Sequence, residues 1–488
     1  MGSVKQQTLS GVKWTAIEKF SVQGIHFLLG ILMARLLTPA DFGAVAMLGV
    51  FIALSNTFIS SGFGNALIRK LDRTDVDYST VFYFNLVISL VCVGILLLVA
   101  PSVARFYNMS ILCPILRVQC FTLILHALCI IQTTRLTIKL DFRGIAMRSF
   151  FSAIISGVAG VVMAYVGLGV WALVYQAILA NVINVIFLWT YTKWHPILAF
   201  SWKSFKEMFG FGSRLLGAGL IDTIYRNLSP LVIGKCFSPQ ELGYYNRGTH
   251  FARFPSTNIY SVLQKVSYPV MARIQNDNAH LIAVYHKYIR VTCMVIFFAC
   301  TLLAAVSKPL ILLVLTEKWA VSIIYLQVYC FAAMFSHISV INLSLLKVKG
   351  RSGLVLRLEI IKKTLAAIIL FSAIPFGVLG ICVSKVIYAQ IALIINTYYT
   401  GKFFGLGYIE QIRDFAGFFV YSVLACLPAF FVAQSEISSY WSLLFGLITA
   451  PIIYWLFLRK NELMKETLSL IGNKLPFHRK NRRKVDEC

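Results

Sequence analysis

The sequence predicts an all-α integral membrane protein with about fourteen transmembrane helices. Of the 488 residues, 58% are apolar and 13% are charged, whereas soluble proteins have about 45–50% apolar and about 25% charged residues. Apolar runs of about twenty residues recur from Gly11 to Leu458, and each run is long enough to cross a hydrocarbon core of about 30 Å. Basic residues collect in alternate loops between the runs. These loops are too short to form extramembrane domains.

Hydropathy places the spans along the chain. The first, seventh and eighth spans contain charges, and their assignment depends on the internal repeat described below. The predicted centres lie near residues 24, 54, 90, 124, 157, 180, 220, 256, 295, 333, 365, 390, 423 and 449.

The loop charges predict the orientation of the spans, because Lys and Arg are retained on the cytoplasmic side. One alternating set of loops, with the two terminal segments, holds about thirty basic residues. The opposite set holds about five, namely Arg35, Arg105, Lys235, Lys308 and Lys318. Both termini are therefore expected to be cytoplasmic. The net charge of +26 is therefore explained by the orientation of the spans and by contact with membrane lipids. It does not indicate that the protein binds nucleic acid.

An internal repeat predicts how the spans are organised. Residues 35–43 (RLLTPADFG) recur as residues 235–243 (KCFSPQELG), at an offset of 200. In each copy a Thr or Ser is placed to cap a helix, a Pro follows at its first position, and an acidic residue completes a capping box. A weaker repeat relates residues 116–121 to 326–331 at an offset of 210. Two repeats in the same order indicate duplication.

Because six predicted spans separate the copies, the two halves should share one orientation and be related by a pseudo-two-fold axis along the membrane normal. This arrangement is typical of transporters. The expected parts are an N-terminal lobe of six helices over residues 1–195 and a C-terminal lobe of six helices over 196–405. Two further helices follow over 406–458, and a basic cytoplasmic tail occupies 459–488.

Charged residues inside the spans predict a water-filled cavity. A charge near the bilayer centre costs about 2.5–3.5 kcal/mol on insertion scales, and such residues follow helical spacing in spans seven and eight. The candidate lining residues of these spans are Arg214, Asp222, Tyr225, Arg226, Asn246, Arg247, His250, Arg253, Tyr260, Gln264 and Lys265. Span one adds a narrower polar seam of Lys19, Gln23 and His26, with Glu18 on an adjoining face.

The excess of arginine in this stripe predicts an anionic ligand, because guanidinium groups suit phosphate oxygens. Two simpler interpretations stay open. Asp222 and Arg226 are also placed to form an i,i+4 ion pair, which is compatible with lining a cavity. His250, taken singly, is typical of a hydrogen-bonded packing residue.

Several residues indicate a family. Trp14 and Glu18 in the first span, residues 34–43, residues 62–68 (GFGNALI) and residues 242–247 (LGYYNR) resemble the polysaccharide-export branch of the MOP superfamily. The likeness is to Wzx-type lipid-linked oligosaccharide flippases, in the group of colanic acid and teichuronic acid exporters. It covers nearly the whole chain.

The resemblance implies a V-shaped pair of six-helix lobes in the bacterial inner membrane. The implied substrate is an undecaprenyl-diphosphate-linked oligosaccharide repeat unit, moved to the periplasmic leaflet for lipopolysaccharide O-antigen, capsule or exopolysaccharide. A polysaccharide polymerase and other assembly proteins are implied partners. The cationic cavity of the family corresponds to Arg214, Arg226, Arg247 and Arg253 of this sequence.

With that substrate, the arginines are expected to hold phosphate, and Tyr225, Tyr260, Asn246 and Gln264 to meet sugar. Glu18, Asp222 and His250 are candidates for coupling to a proton or sodium gradient, since no GxxxxGK[ST] loop for ATP is present. Relatives are expected to carry an acidic residue near Ser229, which this chain lacks. No cofactor or metal site is predicted.

Two rival functions are weighed. A multidrug-type extruder of small cations, which the same superfamily includes, would need carboxylates where this chain has arginines. A membrane-embedded glycan polymerase, ligase or glycosyltransferase would need a large periplasmic loop or a catalytic domain. Asp75 and Asp77 are two residues apart and resemble the metal-binding motif of enzymes that use nucleotide sugars. They are interpreted instead as a helix cap in a short loop. A transporter, not an enzyme, is therefore expected.

Overall fold

The structure is a computed structural model that describes residues 21–60 and 62–464. All regular secondary structure in these residues is helical. The helices of the N-terminal part are α1 Ser21–Leu36, α2 Pro39–Ser60, α3 Phe63–Arg69, α4 Asp75–Phe106, α5 Leu112–Gln119, α6 Phe121–Ile138, α7 Phe142–Tyr165, α8 Val170–Thr192 and α9 Trp202–Cys236. Those that follow are α10 Pro239–Arg273, α11 Asn278–Ala305, α12 Ser307–Leu315, α13 Ser322–Val348, α14 Ser352–Ser372, α15 Gly377–Phe404, α16 Tyr408–Gln434 and α17 Ser439–Leu458.

Each of the fourteen predicted span centres lies inside one of these helices. Within the described residues, ten helical segments are long and apolar enough to cross a membrane. Helices α9, α10 and α14 are also long, at 35, 35 and 21 residues, and α1 is a shorter apolar helix. The all-helical membrane fold is thus confirmed, whereas the count of fourteen spans stays a prediction.

The chain divides into two compact units, Met1–Asn246 and Arg247–Cys488. The boundary falls within α10. The division into lobes at residues 195 and 405, with a separate terminal pair of helices, stays a prediction. Of the candidate residues, Glu18 and Lys19 lie outside the part of the chain that the structure describes.

The repeated motif begins a helix in both copies, as predicted. The Thr38 hydroxyl accepts from the Asp41 backbone N–H at 3.3 Å, and the Thr38 N–H donates to the Asp41 carboxylate at 2.9 Å. In the second copy, the Glu241 N–H donates to the Ser238 hydroxyl at 3.1 Å. These caps satisfy backbone donors that a helix leaves unpaired at its N-terminus.

The two copies of the motif touch each other reciprocally within the first unit. A Cβ atom on Gly43 would lie 1.7 Å from the carbonyl oxygen of Pro239, and one on Gly243 would lie 2.0 Å from the carbonyl oxygen of Pro39. Only glycine permits such a close approach of two backbones. Lys235, at the start of the second copy, also donates to the Phe106 carbonyl at 2.6 Å. We call this contact of Pro39, Gly43, Pro239 and Gly243 the motif contact.

Helices α2 and α9 also meet further along their length. A Cβ atom on Gly234 would lie 2.9 Å from the Met47 side chain. Toward the other end of both helices, the hydroxyls of Thr57 and Thr223 lie 2.9 Å apart, and Gly219 packs against the Thr57 methyl group. The two helices therefore stay in contact from the motif contact to Thr57.

The pair Asp75 and Asp77 is engaged in structural contacts at the start of α4. Asp77 forms a capping box with Thr74, and its carboxylate lies 3.1 Å from the Lys70 ammonium. Asp75 accepts from the Trp194 indole N–H at 3.1 Å. The interpretation as a helix cap is thus confirmed for Asp77, whereas Asp75 contacts Trp194 instead.

Lys70 joins the ends of three helices, because its ammonium also lies 3.0 Å from the Glu207 carboxylate at the start of α9. Burial acts to lower the pKa of Lys70, but its hydrogen bonds to Glu207 and Asp77 outweigh that effect and raise the pKa. The ammonium therefore stays charged at neutral pH, and the cross-link persists.

We expect Gly43→Ala to destabilise the protein, because its methyl group would overlap the backbone of Pro239. Overpacking of this kind costs about 1–3 kcal/mol, and the melting temperature of the purified protein should fall. Gly49→Ala is the matched control, since it lies on the same helix with no atom within 4 Å of the added Cβ. That change should leave stability equal or higher, because alanine favours helix by about 1 kcal/mol over glycine. Equal melting temperatures for both variants would contradict the close contact.

Candidate functional site

The first unit contains a cavity of about 730 Å³ between α2, α3, α6, α7, α8 and α9. This volume falls within the range of about 300–1,000 Å³ that is typical of ligand sites. Hydroxyl and amide groups supply most of its polar lining. The polar lining residues are Thr57, Ser60, Asn65, His126, Thr133, Thr134, Thr137, Arg148, Asn181, Asn184, Asp222 and Thr223.

Helical hydrogen bonds orient these hydroxyl and amide groups. The Thr134 and Thr137 hydroxyls donate to the backbone carbonyls four residues earlier, at 2.8 and 2.9 Å. The Asn181 amide donates in the same way to Ala177 at 2.8 Å. Each side chain thereby uses a donor on its own helix and keeps an oxygen that can accept hydrogen bonds from a ligand.

Among the residues that line this cavity, Nδ1 of His126 and Oδ1 of Asn184 are buried and have no hydrogen-bond partner in residues 21–60 and 62–464. Buried polar atoms in proteins are nearly always hydrogen-bonded to protein or to water. An atom of this kind on a cavity wall is therefore suited to a polar ligand or to solvent.

The guanidinium of Arg148 lies among these hydroxyl and amide groups. Arg148 donates from Nη1 to the Thr133 hydroxyl at 3.1 Å and from Nη2 to the Ser149 hydroxyl at 3.4 Å. These contacts fix the guanidinium plane on the cavity wall. A guanidinium on a cavity wall is suited to hydrogen-bond an anionic ligand.

Asp222 is the acidic group of the cavity, and it is paired with Arg226. The Arg226 Nε donates to the Asp222 carboxylate at 2.6 Å, with side chains 75% and 43% exposed respectively. The i,i+4 pair that the spacing predicted is therefore present, and Asp222 lines the cavity while it is paired. Because both side chains are exposed, the pair itself contributes less than about 1 kcal/mol.

The cavity lies toward one end of its helices. Thr57 is 18 residues after Pro39 on α2, a distance of about 27 Å at 1.5 Å per residue. Arg148 is near the start of α7 and Thr137 near the end of α6. By the loop charges these helix ends are predicted to face the cytoplasm. The motif contact then lies at the opposite end, beyond the stretch where α2 and α9 pack together.

The structure places the residues of the predicted basic stripe in different environments. Arg214 and Arg226 are exposed on α9, and neither lines the cavity, whereas Asp222 does. Gln23 is half-buried on α1, and His250 is exposed on α10. The side chains of Tyr260, Gln264 and Lys265 lie outside the described residues.

In the second unit, the two remaining arginines of the stripe, Arg247 and Arg253, each lie against an aromatic ring. One ring belongs to the segment before α13 and the other to α13. The Arg253 Nε donates to the Tyr329 hydroxyl at 2.8 Å, and its guanidinium lies 4.9 Å from the ring centre. The Arg247 guanidinium lies 5.6 Å from the centre of the Trp319 ring. Gly248 allows this approach, because a Cβ there would lie 2.8 Å from the Ser322 carbonyl oxygen.

The sequence analysis missed most of the cavity. Arg148 and His126 both line the cavity, and neither was among the predicted site residues. The sequences of α6 and α8 contain a pattern from which part of this cavity could have been predicted. Thr133 and Thr137 are four residues apart, and Asn181 and Asn184 are three apart, so each pair lies on one helix face. Uncharged polar residues stand out less than charges in a hydropathy scan.

Comparison with known proteins identifies the family of this chain. Residues 32–324 match the sequence model of a family described as polysaccharide biosynthesis protein. The chain belongs to this polysaccharide biosynthesis protein family. The predicted resemblance to the polysaccharide-export branch of the MOP superfamily is therefore confirmed.

Two proteins with similar sequences are bacterial. The chain is 25% identical over 387 residues to the teichuronic acid biosynthesis protein TuaB of Bacillus subtilis, covering 77% of this chain and 78% of that protein. It is 27% identical over 371 residues to the lipopolysaccharide biosynthesis protein WzxC of Escherichia coli, covering 74% of each.

The fold of this family member is similar to that of the lipid II flippase MurJ in an inward closed conformation. The TM-score is 0.71 at 15% identity, covering 91% of this chain and 98% of the other. At that identity the likeness concerns the fold alone. With ten apolar helical segments of spanning length in the described part of the chain, the protein is a multi-pass membrane protein of transporter type.

We expect the cavity to be open to water in the membrane-embedded protein. In a functional variant without the 11 native cysteines, Thr133→Cys and Asn184→Cys should react with a hydrophilic maleimide added to inside-out vesicles. Val50→Cys is the control, because Val50 is buried on α2 at 4% exposure and should stay unlabelled. Labelling of Val50→Cys alone, or of neither cavity position, would contradict a water-filled cavity here.

Proposed function

We propose that the protein moves a lipid-linked oligosaccharide, carried on undecaprenyl diphosphate, from the cytoplasmic to the outer leaflet of the bacterial inner membrane. The observation that carries this proposal is the cavity of about 730 Å³ lined by hydroxyl and amide groups around one arginine. Membership of the polysaccharide biosynthesis family supports it.

The lining chemistry suits a sugar. Each hydroxyl and amide of an oligosaccharide that leaves water without a new partner costs about 2–7 kcal/mol. Threonine, serine and asparagine side chains both donate and accept hydrogen bonds, so the wall can replace lost water around many sugar hydroxyls. A wall of this kind is tolerant of the sugar sequence, because no single geometry is imposed.

The diphosphate needs a cation, and Arg148 supplies one in the first unit. In the second unit, Arg247 and Arg253 are proposed as further phosphate ligands, held in place by Trp319 and Tyr329. The prenyl chain needs no protein cavity, because it remains in lipid during transfer. The protein therefore has to hold only the headgroup.

We propose that fourteen helices cross the membrane, as two six-helix lobes and a terminal pair. The ten apolar helices are joined in this count by α1, α9, α10 and α14. Helices α9 and α10 are less apolar than the other ten because they carry the charged and polar residues of the predicted stripe. Polar residues in a span are tolerated where they face a wet cavity.

Transfer also requires that the end of the pathway away from the cytoplasm opens after the headgroup has entered the cavity. We propose that the motif contact seals that end while the cavity is open to the cytoplasm. A contact of backbone on backbone through Gly43 and Gly243 can separate without exposing a large apolar side chain. Rocking of the lobes would part the two motif copies and release the headgroup on the other side.

The two rival functions fit the cavity less well. An extruder of small cations needs carboxylates that are available to the ligand, whereas Asp222, the carboxylate among the described lining residues of this cavity, already accepts from Arg226. A glycosyltransferase using Asp75 and Asp77 would need both carboxylates for a metal. These two carboxylates instead hold Trp194, Thr74 and Lys70 in place.

Arg148→Gln is expected to reduce export of surface polysaccharide about tenfold or more. The change removes a charge-assisted hydrogen bond to phosphate, an interaction of about 1.5–3 kcal/mol. The measurement is export in cells that lack the native gene, at matched membrane levels of each variant. Arg143→Gln on the same helix is the control, since Arg143 is exposed and does not line the cavity. Normal export by Arg148→Gln would refute the phosphate assignment.

We propose Asp222 as the coupling group, with Glu18 and His250 as the other candidates. Protonation of Asp222 would release Arg226 and so link a proton gradient to the state of the cavity. In proteoliposomes, Asp222→Asn should lose the stimulation of glycan transfer by an imposed proton gradient while gradient-free transfer persists. Full stimulation in Asp222→Asn would assign the coupling elsewhere.

A further inference from the structure

A second charged cavity, of about 420 Å³, lies in the second unit between α11, α16 and the segment that follows α17. It is separate from the groups used above, because none of its lining residues takes part in the proposed headgroup site. Its polar lining residues are Arg290, Arg413, Asp414, Tyr421, Asn461 and Glu462. We propose that this cavity binds the headgroup of a membrane phospholipid that carries both a phosphate and a primary ammonium, as in phosphatidylethanolamine.

The inner wall of the cavity is a fixed polar network. Asp414 is buried, with its side chain 3% exposed, and its Oδ1 accepts from Nε and Nη2 of Arg290, each at 2.7 Å. Its Oδ2 is hydrogen-bonded to Nδ1 of His286. The charges of Arg290 and Asp414 therefore cancel. Arg290 is still 47% exposed, so its guanidinium edge forms part of the wall while its position is held by Asp414.

The outer wall carries two opposite charges that remain available. Arg413 is exposed at the start of α16, and Glu462 is exposed just after α17. Neither forms an ion pair with another residue in the described parts of the chain. A turn positions Glu462, because the Asn461 side chain accepts from the Leu463 N–H at 3.0 Å. The cavity thus offers one cation and one anion at its rim.

An apolar face continues from the cavity along the same helices. Phe418 and Tyr421 line the cavity, and the Tyr421 ring stacks on Phe457 of α17 with ring centres 5.6 Å apart. One turn further along α16, Leu424 is exposed at 45%. A ligand with a charged head and an acyl chain matches this order of polar cavity and apolar face.

The predicted depth of this cavity in the membrane is that of the lipid headgroups. The loop charges place the start of α16 and the end of α17 on the cytoplasmic side, and Arg459 and Lys460 follow directly after α17. Phospholipid phosphates lie at this level. Lipid headgroups bind in basic recesses between helices at the cytoplasmic surface.

The charge balance selects among lipids. Arg413 suits the phosphate, and Glu462 suits an ammonium that can donate hydrogen bonds. Phosphatidylcholine offers the same charges, but its trimethylammonium group has no N–H to donate. Phosphatidylglycerol offers a phosphate alone and would leave Glu462 facing an anion. The expected order of binding is therefore phosphatidylethanolamine, then phosphatidylcholine, then phosphatidylglycerol.

The test is native mass spectrometry of the purified full-length protein with equal amounts of these three lipids. The wild-type protein should retain phosphatidylethanolamine at least threefold more than either other lipid. Arg413→Gln should lower retention of all three, because each carries a phosphate. Glu462→Gln should remove the preference for phosphatidylethanolamine and raise retention of phosphatidylglycerol.

Arg459→Gln is the matched control, because it removes the same charge as Arg413→Gln from a neighbouring exposed residue that does not line the cavity. It should keep the wild-type order. Both Arg413 and Glu462 are exposed, and unchanged melting temperatures will show that the variants are folded. Retention of phosphatidylglycerol above phosphatidylethanolamine by the wild-type protein would overturn the proposal. So would wild-type retention by both cavity variants. Lipid retention is measured without transport, so the result is independent of the proposed export function.

Discussion

A polar group in hydrocarbon needs a partner, and this constraint organises the chain. The cost of an unpaired polar group in an apolar medium is several kcal/mol, so the polar residues of the helices have to meet each other, water or a ligand. In the first unit a group of them lines the cavity between six helices. In the second unit, Tyr285, Asn342 and Gln411 form a buried hydrogen-bonded chain that joins α11, α13 and α16. The apolar faces are left for the lipid.

The motif contact lies at the end of α2 and α9 that is opposite to the cavity. Two copies of one sequence motif place a glycine against the other copy's proline carbonyl, and α2 and α9 remain in contact from there to Thr57 and Thr223. The cavity begins where this packing ends. A duplicated sequence thus provides a reciprocal contact that a single copy could not make, and the polar cavity is formed at the other end of the same two helices.

The sequence predicted the elements of the fold more fully than the site. Apolar runs and the internal repeat placed the fourteen predicted span centres inside helices, although α3, α5 and α12 had no predicted centre. The capping residues predicted the start of α2 and of α10. The site prediction followed charges, and it found Asp222 and its partner Arg226. It missed Arg148, whose position near a predicted cytoplasmic end is typical of a topology signal. It also missed Asn184, because one amide in an apolar helix shows its role only when the neighbouring helices are known.

The central claim is transfer of a prenyl-diphosphate glycan between leaflets without chemical change. The most direct test reconstitutes the purified protein in liposomes with a fluorescent undecaprenyl-diphosphate oligosaccharide and follows quenching by a membrane-impermeant reductant. The protein should make glycan in the inner leaflet accessible to the reductant, and the recovered lipid should have its original mass. Glycan that stays protected as in protein-free liposomes, or a recovered lipid of altered mass, would contradict the account.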